Sequence, residues 1–253
     1  LFAMEVIARK INKQLVIACT ASALVSWLFI FLFDNQTLLP NIIVGWNWNA
    51  LPFFIVLSLL GGVLAVYFTL LVTRMKRLFS NISNNFLRVN IGAIAVGLLI
   101  YFFPSLYGDS YHGLKEVVSQ PLTIPNISLL FLLSIAVLKP LASSLTLGAG
   151  GDGGVFAPSI VAGAFLGLVV AFVGNYYFDA DLIPINFALV GAAATLSASL
   201  FAPFTSLVLI CNLLPNGYVL FIPILLGSFI AYFFSKKLLP YNVYSYDFYV
   251  ASK

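Results

Sequence analysis

Seven apolar segments, separated by short polar links, follow one another along almost the whole chain, and this pattern limits the fold more than any other feature. Most of them reach the about 20 residues that a helix needs to cross a lipid bilayer. The segments cover residues 15–33, 51–73, 89–103, 127–147, 155–178, 185–214 and 218–235. Only 8% of the 253 residues are charged, whereas soluble domains carry about 25%. So few charges cannot solvate a surface in water, and the sequence therefore predicts an all-α, multi-pass membrane protein.

The basic residues indicate which way the first two segments cross the membrane. Arginines and lysines cluster in residues 9–13 and 74–88, whereas the link 34–50 between the two segments has one acidic residue and no basic one. Cytoplasmic loops of membrane proteins carry an excess of lysine and arginine. We therefore predict that both basic clusters face the cytoplasm and that the link 34–50 faces the opposite side. The pattern is typical of a bacterial inner membrane or a plasma membrane protein.

Four prolines lie inside or at the head of apolar segments, namely Pro140, Pro158, Pro203 and Pro223. Proline has no backbone N–H to donate and clashes with the preceding helical turn. Repeated breaks in apolar segments are typical of transport sites that are built from half-helices. The alternative is that these prolines only kink ordinary membrane-spanning helices.

The most distinctive short stretch is GAGGDGGVFAP, and we call residues 148–154 within it the glycine loop. Its spacing fits G-x-G-x-x-G, the dinucleotide fingerprint, which requires a strand before the loop and an acidic residue about 20 positions after it. The preceding sequence LKPLASSLTL contains a proline and suggests a broken helix, and residues 155–173 contain no acidic side chain. The dinucleotide interpretation therefore fails.

The same loop has the composition of an anion site. Glycines such as Gly150, Gly151 and Gly153 allow several backbone N–H groups to point into one space. A helix that begins at residues 156–158 would add the positive end of its dipole, about half a charge. Pro158 suits the first turn of that helix, where its missing N–H has no cost. Gly163 and Gly167, further along, would allow a second helix to approach closely.

Three stretches together resemble the CLC family of chloride channels and proton-coupled chloride antiporters. LTLGAGGDGGVFAPSIVAGAFLG is similar to the family signature, a glycine-rich loop followed by G-[IV]-F-x-P. LFAMEV resembles the segment L-F-x-x-E late in the first half of the family, and FALVGAAATLSASLFAPFTSLVLI resembles the segment that follows the filter helix. Their order and separations also match those of the family.

The resemblance implies a CLC-type inverted-repeat fold with broken and tilted helices. Residues 1–253 would form one membrane domain of an anion transporter, in which 1–35 end the first half and 36–253 form the second half. No CBS or other soluble domain is expected. The family motifs G-S-G-I-P and G-R-E-G-P do not occur in the sequence, so we expect a missing N-terminal half of the same protein. Family members are homodimers with one pore in each subunit, and the same assembly is implied here.

The resemblance also implies the site residues. The anion would be bound by the backbone of Gly154, Val155 and Phe156, with Gly150, Gly151, Gly153 and Pro158 supporting the loop. A tyrosine hydroxyl from the end of the last helix would also reach the anion. Counting along the matching segments places this tyrosine at Tyr244, and Tyr241 is the alternative.

The residues that would carry protons in the family are only partly present. Glu5 falls on the first of two adjacent acidic positions, and the second, the internal proton acceptor of many antiporters, falls on Val6. A valine cannot carry a proton, so coupling by that route is not expected. Glu5 could belong to a proton pathway or have a structural role, and the structural role is favoured.

Other residues are weaker candidates. Lys139 is the clearest charge inside an apolar segment, and it could either attract anions or extend its ammonium to the membrane surface. Asp152 in the glycine loop would repel an anion, so we expect it to face solvent or to pair with a cation. Cys19 and Cys211 are expected to be buried apolar side chains, and His112 is expected to be a solvated loop residue. The hydroxyl residues of the segment 127–147 are expected to serve helix packing; they are Ser143, Ser144 and Thr146.

The predicted function is therefore movement of chloride across the membrane, as a channel or uncoupled transporter. The alternative is a proton-coupled antiporter of chloride, fluoride or nitrate. A membrane-embedded enzyme is the third possibility, but the apolar segments contain no plausible base, nucleophile or metal cluster, so no enzymatic activity is predicted. Chloride would be the bound substrate, the lipid bilayer the surroundings, and no cofactor is predicted. The net charge of +4 comes without a basic stripe, so no nucleic-acid partner is expected.

Overall fold

The structure is a computed structural model that describes residues 13–33, 45–108, 114 and 128–252. Within these ranges the regular structure is entirely helical, which confirms the all-α prediction. The α-helices are α1 (Lys13–Phe33), α2 (Leu51–Ser80), α3 (Asn85–Phe102), α4 (Leu129–Ala149), α5 (Phe156–Phe178), α6 (Pro184–Leu200), α7 (Pro203–Cys211), α8 (Phe221–Leu238) and α9 (Tyr246–Ala251). Short 3-10 turns lie at Trp48–Ala50, Pro104–Leu106 and Gly217–Leu220.

Five described helices are long and apolar enough to cross a membrane, and the chain is a multi-pass membrane protein. They correspond to α2, α3, α4, α5 and α8, with α2 and α8 extended by the 3-10 turns before them. The apolar part of α1 and the whole of α6 are shorter, at Val16–Phe29 and Pro184–Leu200. Helix α5 is the most deeply buried of the five spans, with 78% of its most apolar window buried inside the protein. A helix that is apolar on all sides, as α5 is, belongs in such a core.

The prolines behave differently from one another. Pro203 marks a real break, because α6 ends at Leu200 and α7 starts at Pro203, so the predicted segment 185–214 is two helices. Pro158 is the third residue of α5, in its first turn, as predicted. The interruption predicted at Pro140 is wrong: α4 continues through it. Pro140 is buried between neighbouring helices, and in that setting packing holds a helix together across a proline. Pro223 lies in the first turn of α8, as Pro158 does in α5.

Helix α2 contacts α4, α5, α6 and α8. Small residues make these contacts close. A Cβ added to Gly61 would lie 3.1 Å from the Cβ of Ala194 on α6, and one added to Gly62 would lie 3.3 Å from the carbonyl of Ala231 on α8. Beside them, four buried alanines from the three helices form a small cluster; they are Ala65, Ala194, Ala198 and Ala231.

The direction of the helices follows from the same contacts. Gly148 near the end of α4 packs against Met75 and Phe79 near the end of α2, where the basic residues indicate the cytoplasmic side. At the other end of the bundle, Phe53 near the start of α2 packs against Phe178, the last residue of α5. Helix α5 therefore starts beside the ends of α2 and α4, at the end of the bundle that is predicted to face the cytoplasm, and runs toward the opposite end.

The closest helix contact joins α5 and α6 through glycines, as predicted from the spacing of Gly163 and Gly167. A Cβ on Gly163 would overlap the backbone carbonyl of Gly191, and a Cβ on Gly167 would overlap the backbone carbonyl of Phe187. The contact is reciprocal, because a Cβ on Gly191 would overlap the carbonyl of Gly163. The two backbones therefore touch directly, with no flexible side chain between them.

We predict that Gly167→Ala and Gly97→Ala change stability in opposite directions. Alanine favours a helix over glycine by about 1 kcal/mol, and nothing lies within 4 Å of a Cβ at Gly97, so this variant should be neutral or stabilised. At Gly167 the methyl group would force α5 and α6 apart, at a cost of about 1–3 kcal/mol. Thermal unfolding in detergent measures both. Equal midpoints for the two variants would contradict the contact.

Candidate functional site

The glycine loop begins with a sharp turn at the end of α4. Gly150 has a φ of 98°, a left-handed conformation that favours glycine. The N–H of Gly151 donates to the carbonyl of Thr146 at 2.9 Å, and the N–H of Gly150 donates to the carbonyl of Leu147 at 3.3 Å. This is the Schellman pattern, which satisfies the last carbonyls of a helix and redirects the chain. The loop therefore leaves α4 in a defined direction toward the start of α5.

The next two glycines of the loop are not required by packing. A Cβ on Gly153 would have its nearest neighbour 3.8 Å away, and one on Gly154 would have it 3.9 Å away, so side chains would fit at both positions. Both residues are exposed. What a side chain would change is access to the backbone, because it would cover the peptide groups beside it. These glycines keep the approach to Val155 open.

Helix α5 starts directly after this open stretch. Val155 is the N-cap residue and is almost completely buried, and Phe156 is the first helical residue, as the sequence predicts. The first N–H groups of a helix have no partner within it and carry the positive end of its dipole. The start of α5 is therefore a place where negative charge is stabilised without a charged side chain.

The structure brings Tyr244 to the same point. The backbone of Val155 forms a hydrogen bond with the Tyr244 hydroxyl, although the residue as a whole is 42% exposed. Burial raises the pKa of this phenol above its ordinary value of 10.0, and the Val155 hydrogen bond partly opposes that increase. The phenol is therefore neutral at physiological pH, and its O–H can donate to an anion.

Asn242, which sequence reasoning missed, fixes the position of Tyr244. It is buried, and its amide donates to the carbonyl of Leu200 at the end of α6 at 2.6 Å. Its side-chain oxygen accepts from the N–H groups of Tyr244 at 3.0 Å and Ser245 at 2.8 Å. The signal in the sequence was an asparagine two residues before the tyrosine, because asparagine side chains often bond to backbone N–H groups two or three residues later.

Tyr241, the alternative to Tyr244, lies in a different environment. Its ring packs against Tyr246 and Tyr249, with centroid distances of 5.1 and 5.0 Å. The hydroxyl of Tyr246 in turn accepts a hydrogen bond of 2.6 Å from Arg77 at the end of α2. Tyr241 therefore belongs to an aromatic cluster that anchors the C-terminal segment to α2.

Lys139 is buried inside the bundle. None of its described hydrogen bonds reaches the glycine loop. Its side chain is 3% exposed, and its ammonium donates to the carbonyls of Gly108 at 2.7 Å and Leu106 at 3.2 Å. These carbonyls end the 3-10 turn that follows α3. Lys139 therefore does not extend its ammonium to the membrane surface, which was one of the two predictions, but links α4 to the segment after α3 through hydrogen bonds.

The remaining candidates are spread over the molecule. Asp152 is exposed and forms no ion pair within the described part of the chain, in agreement with the solvent-facing alternative. The hydroxyls of Ser144 and Thr146 donate to carbonyls of their own helix, as expected for packing residues. Cys19 is half-buried and Cys211 buried, both as free thiols. Three of the predicted positions lie outside the described residues; they are Glu5, Val6 and His112.

A separate cavity of about 410 Å³ lies at the opposite end of α5. Asp179 and Asp181, which follow α5, and several aromatic rings line it. Because α5 separates this cavity from Val155 along its whole length, the cavity is not part of the arrangement at the glycine loop.

Comparison with known proteins agrees with this architecture. The sequence model of the family described as "Voltage gated chloride channel" matches residues 1–236. A Shigella flexneri protein named "Voltage-gated ClC-type chloride channel ClcB" is 29% identical over 230 residues, which is 88% of this chain and 53% of the relative. A Vibrio cholerae protein named "H(+)/Cl(-) exchange transporter ClcA" is 27% identical over 203 residues, which is 78% of this chain and 42% of the relative.

A solved structure has the same fold. The crystal structure of a CLC-type fluoride/proton antiporter superposes with a TM-score of 0.65 at 23% identity, covering 85% of this chain and 50% of that one. The inverted-repeat fold inferred from the sequence motifs is therefore confirmed. The chain spans about half the length of the curated relatives it matches.

We predict that Asn242→Ala displaces Tyr244 while leaving its side chain intact. The substitution removes the bonds to Leu200, Tyr244 and Ser245, so the Tyr244 hydroxyl should no longer be held at Val155. The affinity for chloride should then fall about tenfold. Calorimetric titration measures it. Asn212→Ala is the control, because Asn212 is an exposed asparagine on another segment. Unchanged affinity in Asn242→Ala would show that Asn242 does not position the tyrosine.

We predict a structural role for Lys139. Lys139→Met keeps the approximate length of the side chain but leaves the carbonyls of Leu106 and Gly108 without their charged donor, at a cost of about 1.5–3 kcal/mol. The unfolding midpoint should fall, whereas the chloride affinity of the folded fraction should not change. A loss of affinity without a loss of stability would instead indicate a direct role in attracting the anion.

Proposed function

The chain belongs to the voltage-gated chloride channel family, and from that premise we propose that it moves chloride across the membrane past the start of α5. The observation that carries the proposal is the meeting of the Val155 backbone and the Tyr244 hydroxyl at the N-terminus of a buried helix. The site would consist of Gly154, Val155, Phe156 and Tyr244, with the glycine loop supporting it.

The chemistry of these groups suits a transported ion. Backbone N–H groups and a neutral hydroxyl bind an anion through dipoles and hydrogen bonds, whereas a lysine or arginine would hold it as an ion pair. Conduction requires binding that is favourable enough for the ion to arrive and weak enough for it to leave. A chloride ion, which carries one charge and accepts several weak donors, fits this set of groups.

We propose transport without obligatory proton exchange. The basis is Val6, which occupies the position where many antiporters of the family have their internal proton acceptor. The second candidate is proton-coupled exchange of chloride or a similar anion. The names of the Vibrio cholerae relative and of the solved structure, which describe proton-coupled transporters, favour it. No enzymatic step is proposed, and no cofactor is needed. A homodimer with one pathway in each subunit is part of the proposal.

Flux measurements on the complete protein in liposomes test the proposal. Chloride efflux and the pH of the medium are recorded together, with valinomycin present to remove the membrane potential. We expect chloride efflux without stoichiometric proton movement. Tightly coupled proton movement would establish the second candidate, and the absence of any anion flux would exclude both.

We predict that Tyr244→Phe weakens chloride binding and that Tyr241→Phe does not. Only the hydroxyl of Tyr244 bonds to the Val155 backbone, so its removal should lower the affinity about three- to tenfold. Calorimetry on both variants measures the difference. An equal effect of the two substitutions would exclude Tyr244 as a specific ligand.

The contribution of Tyr244 should also depend on pH in a defined way. Because burial raises the pKa of this phenol above its ordinary value of 10.0, the O–H is present at all lower pH values. The affinity difference between wild type and Tyr244→Phe should therefore be constant between about pH 6 and pH 9 and decrease as the phenol ionises at higher pH. A difference that disappears near neutral pH would contradict the neutral-hydroxyl mechanism.

A further inference from the structure

The cavity of about 410 Å³ at the end of α5 opposite Val155 has walls that contain acidic residues and no basic ones. Residues from the stretches 46–54 and 178–187 line it, and the charged residues of these stretches are Asp179 and Asp181. Both are exposed, and neither forms an ion pair with a described residue. Such walls repel an anion and attract a cation.

The position of the two carboxylates is unfavourable for α5 itself. Asp179 is the C-cap residue of this helix, and its last turn contains no basic residue. The C-terminal end of a helix carries about half a negative charge, to which the carboxylates add. The start of α6 also reaches the cavity, but it contributes only about half a positive charge. A cation in the cavity would balance the remainder.

The loop that carries the carboxylates is held in place by side chains of α5. Asn175 donates from Nδ2 to the carbonyl of Leu182 at 2.8 Å, and its Oδ1 accepts from the N–H of Leu182 at 2.6 Å. Leu182 also packs on Gly174 so closely that an added Cβ would overlap its side chain. The backbone on which both carboxylates stand is therefore fixed before a ligand arrives.

The side chain of Asn186, which lines the same cavity, is a second and independent feature. Asn186 is 2% exposed, and its Nδ2 donates to the carbonyl of Gly45 at 3.4 Å. Its Oδ1 has no hydrogen-bond donor among the described residues. Buried polar atoms are normally paired, and an unpaired one costs stability. Because the missing partner is a donor, it indicates a ligand that carries N–H groups.

The rest of the wall indicates an organic cation and not a metal ion. Five aromatic side chains line the cavity; they are Trp46, Phe53, Phe54, Phe178 and Phe187. Aromatic rings attract organic ammonium ions and also provide apolar contact. Calcium would need about six to eight oxygen ligands, and the described residues contain no group of three or more acidic, histidine or cysteine side chains that could hold a metal ion. The volume also lies within the range of about 300–1,000 Å³ that is typical of small-molecule pockets.

We propose that this cavity binds a primary ammonium group that is attached to an apolar body. The ammonium lies between the carboxylates of Asp179 and Asp181 and donates to Oδ1 of Asn186, and the apolar body lies against the aromatic rings. A primary ammonium has three N–H donors, one for each of these acceptor groups. The Asn186 amide can turn toward the ligand without movement of α6, because the last torsion of an asparagine side chain is broad. The site is separate from the anion site and does not depend on the proposed transport.

The test is a calorimetric titration of the complete protein with phenethylammonium, in nanodiscs of phosphatidylcholine. We expect Asp179→Asn and Asp181→Asn each to weaken binding about three- to tenfold, and the neutral analogue phenethyl alcohol not to bind measurably. Asn186→Leu should weaken binding of phenethylammonium about three- to tenfold. It should leave unchanged the binding of the trimethylammonium analogue, which has no N–H to donate.

Nanodiscs that also contain phosphatidylethanolamine identify the source of the ammonium group. The ethanolamine headgroup is a primary ammonium, and the cavity lies at one end of a membrane-spanning helix. Weaker binding of phenethylammonium in these nanodiscs than in phosphatidylcholine alone identifies the lipid headgroup as the occupant. Equal binding in both identifies a soluble amine, and either result supports the site.

The control is Asp247→Asn, which removes an exposed carboxylate from α9, outside the cavity lining. An equal effect of Asp247→Asn and Asp181→Asn would reduce the attraction to general surface charge and overturn the proposal. Binding of Ca²⁺ that depends on both cavity aspartates, without binding of phenethylammonium, would also overturn it. If Asn186→Leu does not fold, unchanged affinity in both variants of the cavity aspartates overturns it.

Discussion

The direct backbone contact between α5 and α6 is the interaction on which the rest of the arrangement depends. Glycines on both helices remove the side chains that would otherwise separate them, so the two axes lie at a distance set by main-chain atoms. The start of α5 carries Val155, and the end of α6 carries the carbonyl that accepts from Asn242. Because Asn242 orients Tyr244, the crossing of α5 and α6 sets the distance between the Val155 amide and the Tyr244 hydroxyl. The α2 glycines add a third helix to the same junction.

Two positive charges in the described part of the chain lie away from the start of α5. Lys139 is buried, but its ammonium is bound to two carbonyls beyond α3, and Arg88 lies over Gly150 at the other end of the glycine loop. The groups that meet at Val155 are a helix dipole, peptide groups and a neutral phenol. In a medium of low dielectric constant such groups are effective, because water does not compete with them.

The sequence predicted the helices well, because long apolar segments leave few alternatives in a membrane. The glycine-rich motif also identified the start of α5, and the family resemblance implied Tyr244, with Tyr241 as the alternative, as the tyrosine that meets it. Pro140 was misjudged because its effect depends on neighbouring helices that a local pattern does not contain. Asn242 and Arg88 were missed for a related reason, because each contacts a residue far away in the chain. Asn242 bonds to Leu200, 42 residues away, and Arg88 lies against Gly150, 62 residues away. Lys139 was recognised as unusual, but its partners became clear only when the turn after α3 was located.

The two groups proposed to bind the anion at the start of α5 are held by different helices. The amide of Val155 moves with α5, whereas the hydroxyl of Tyr244 is connected through Asn242 to the end of α6. The distance between them is therefore set by how α5 and α6 are packed. Since that packing is main chain against main chain, it resists sliding and leaves little freedom to adjust to an ion of a different radius. Discrimination by ionic size at the proposed site would then depend on the crossing of α5 and α6, and so on Gly163, Gly167 and Gly191.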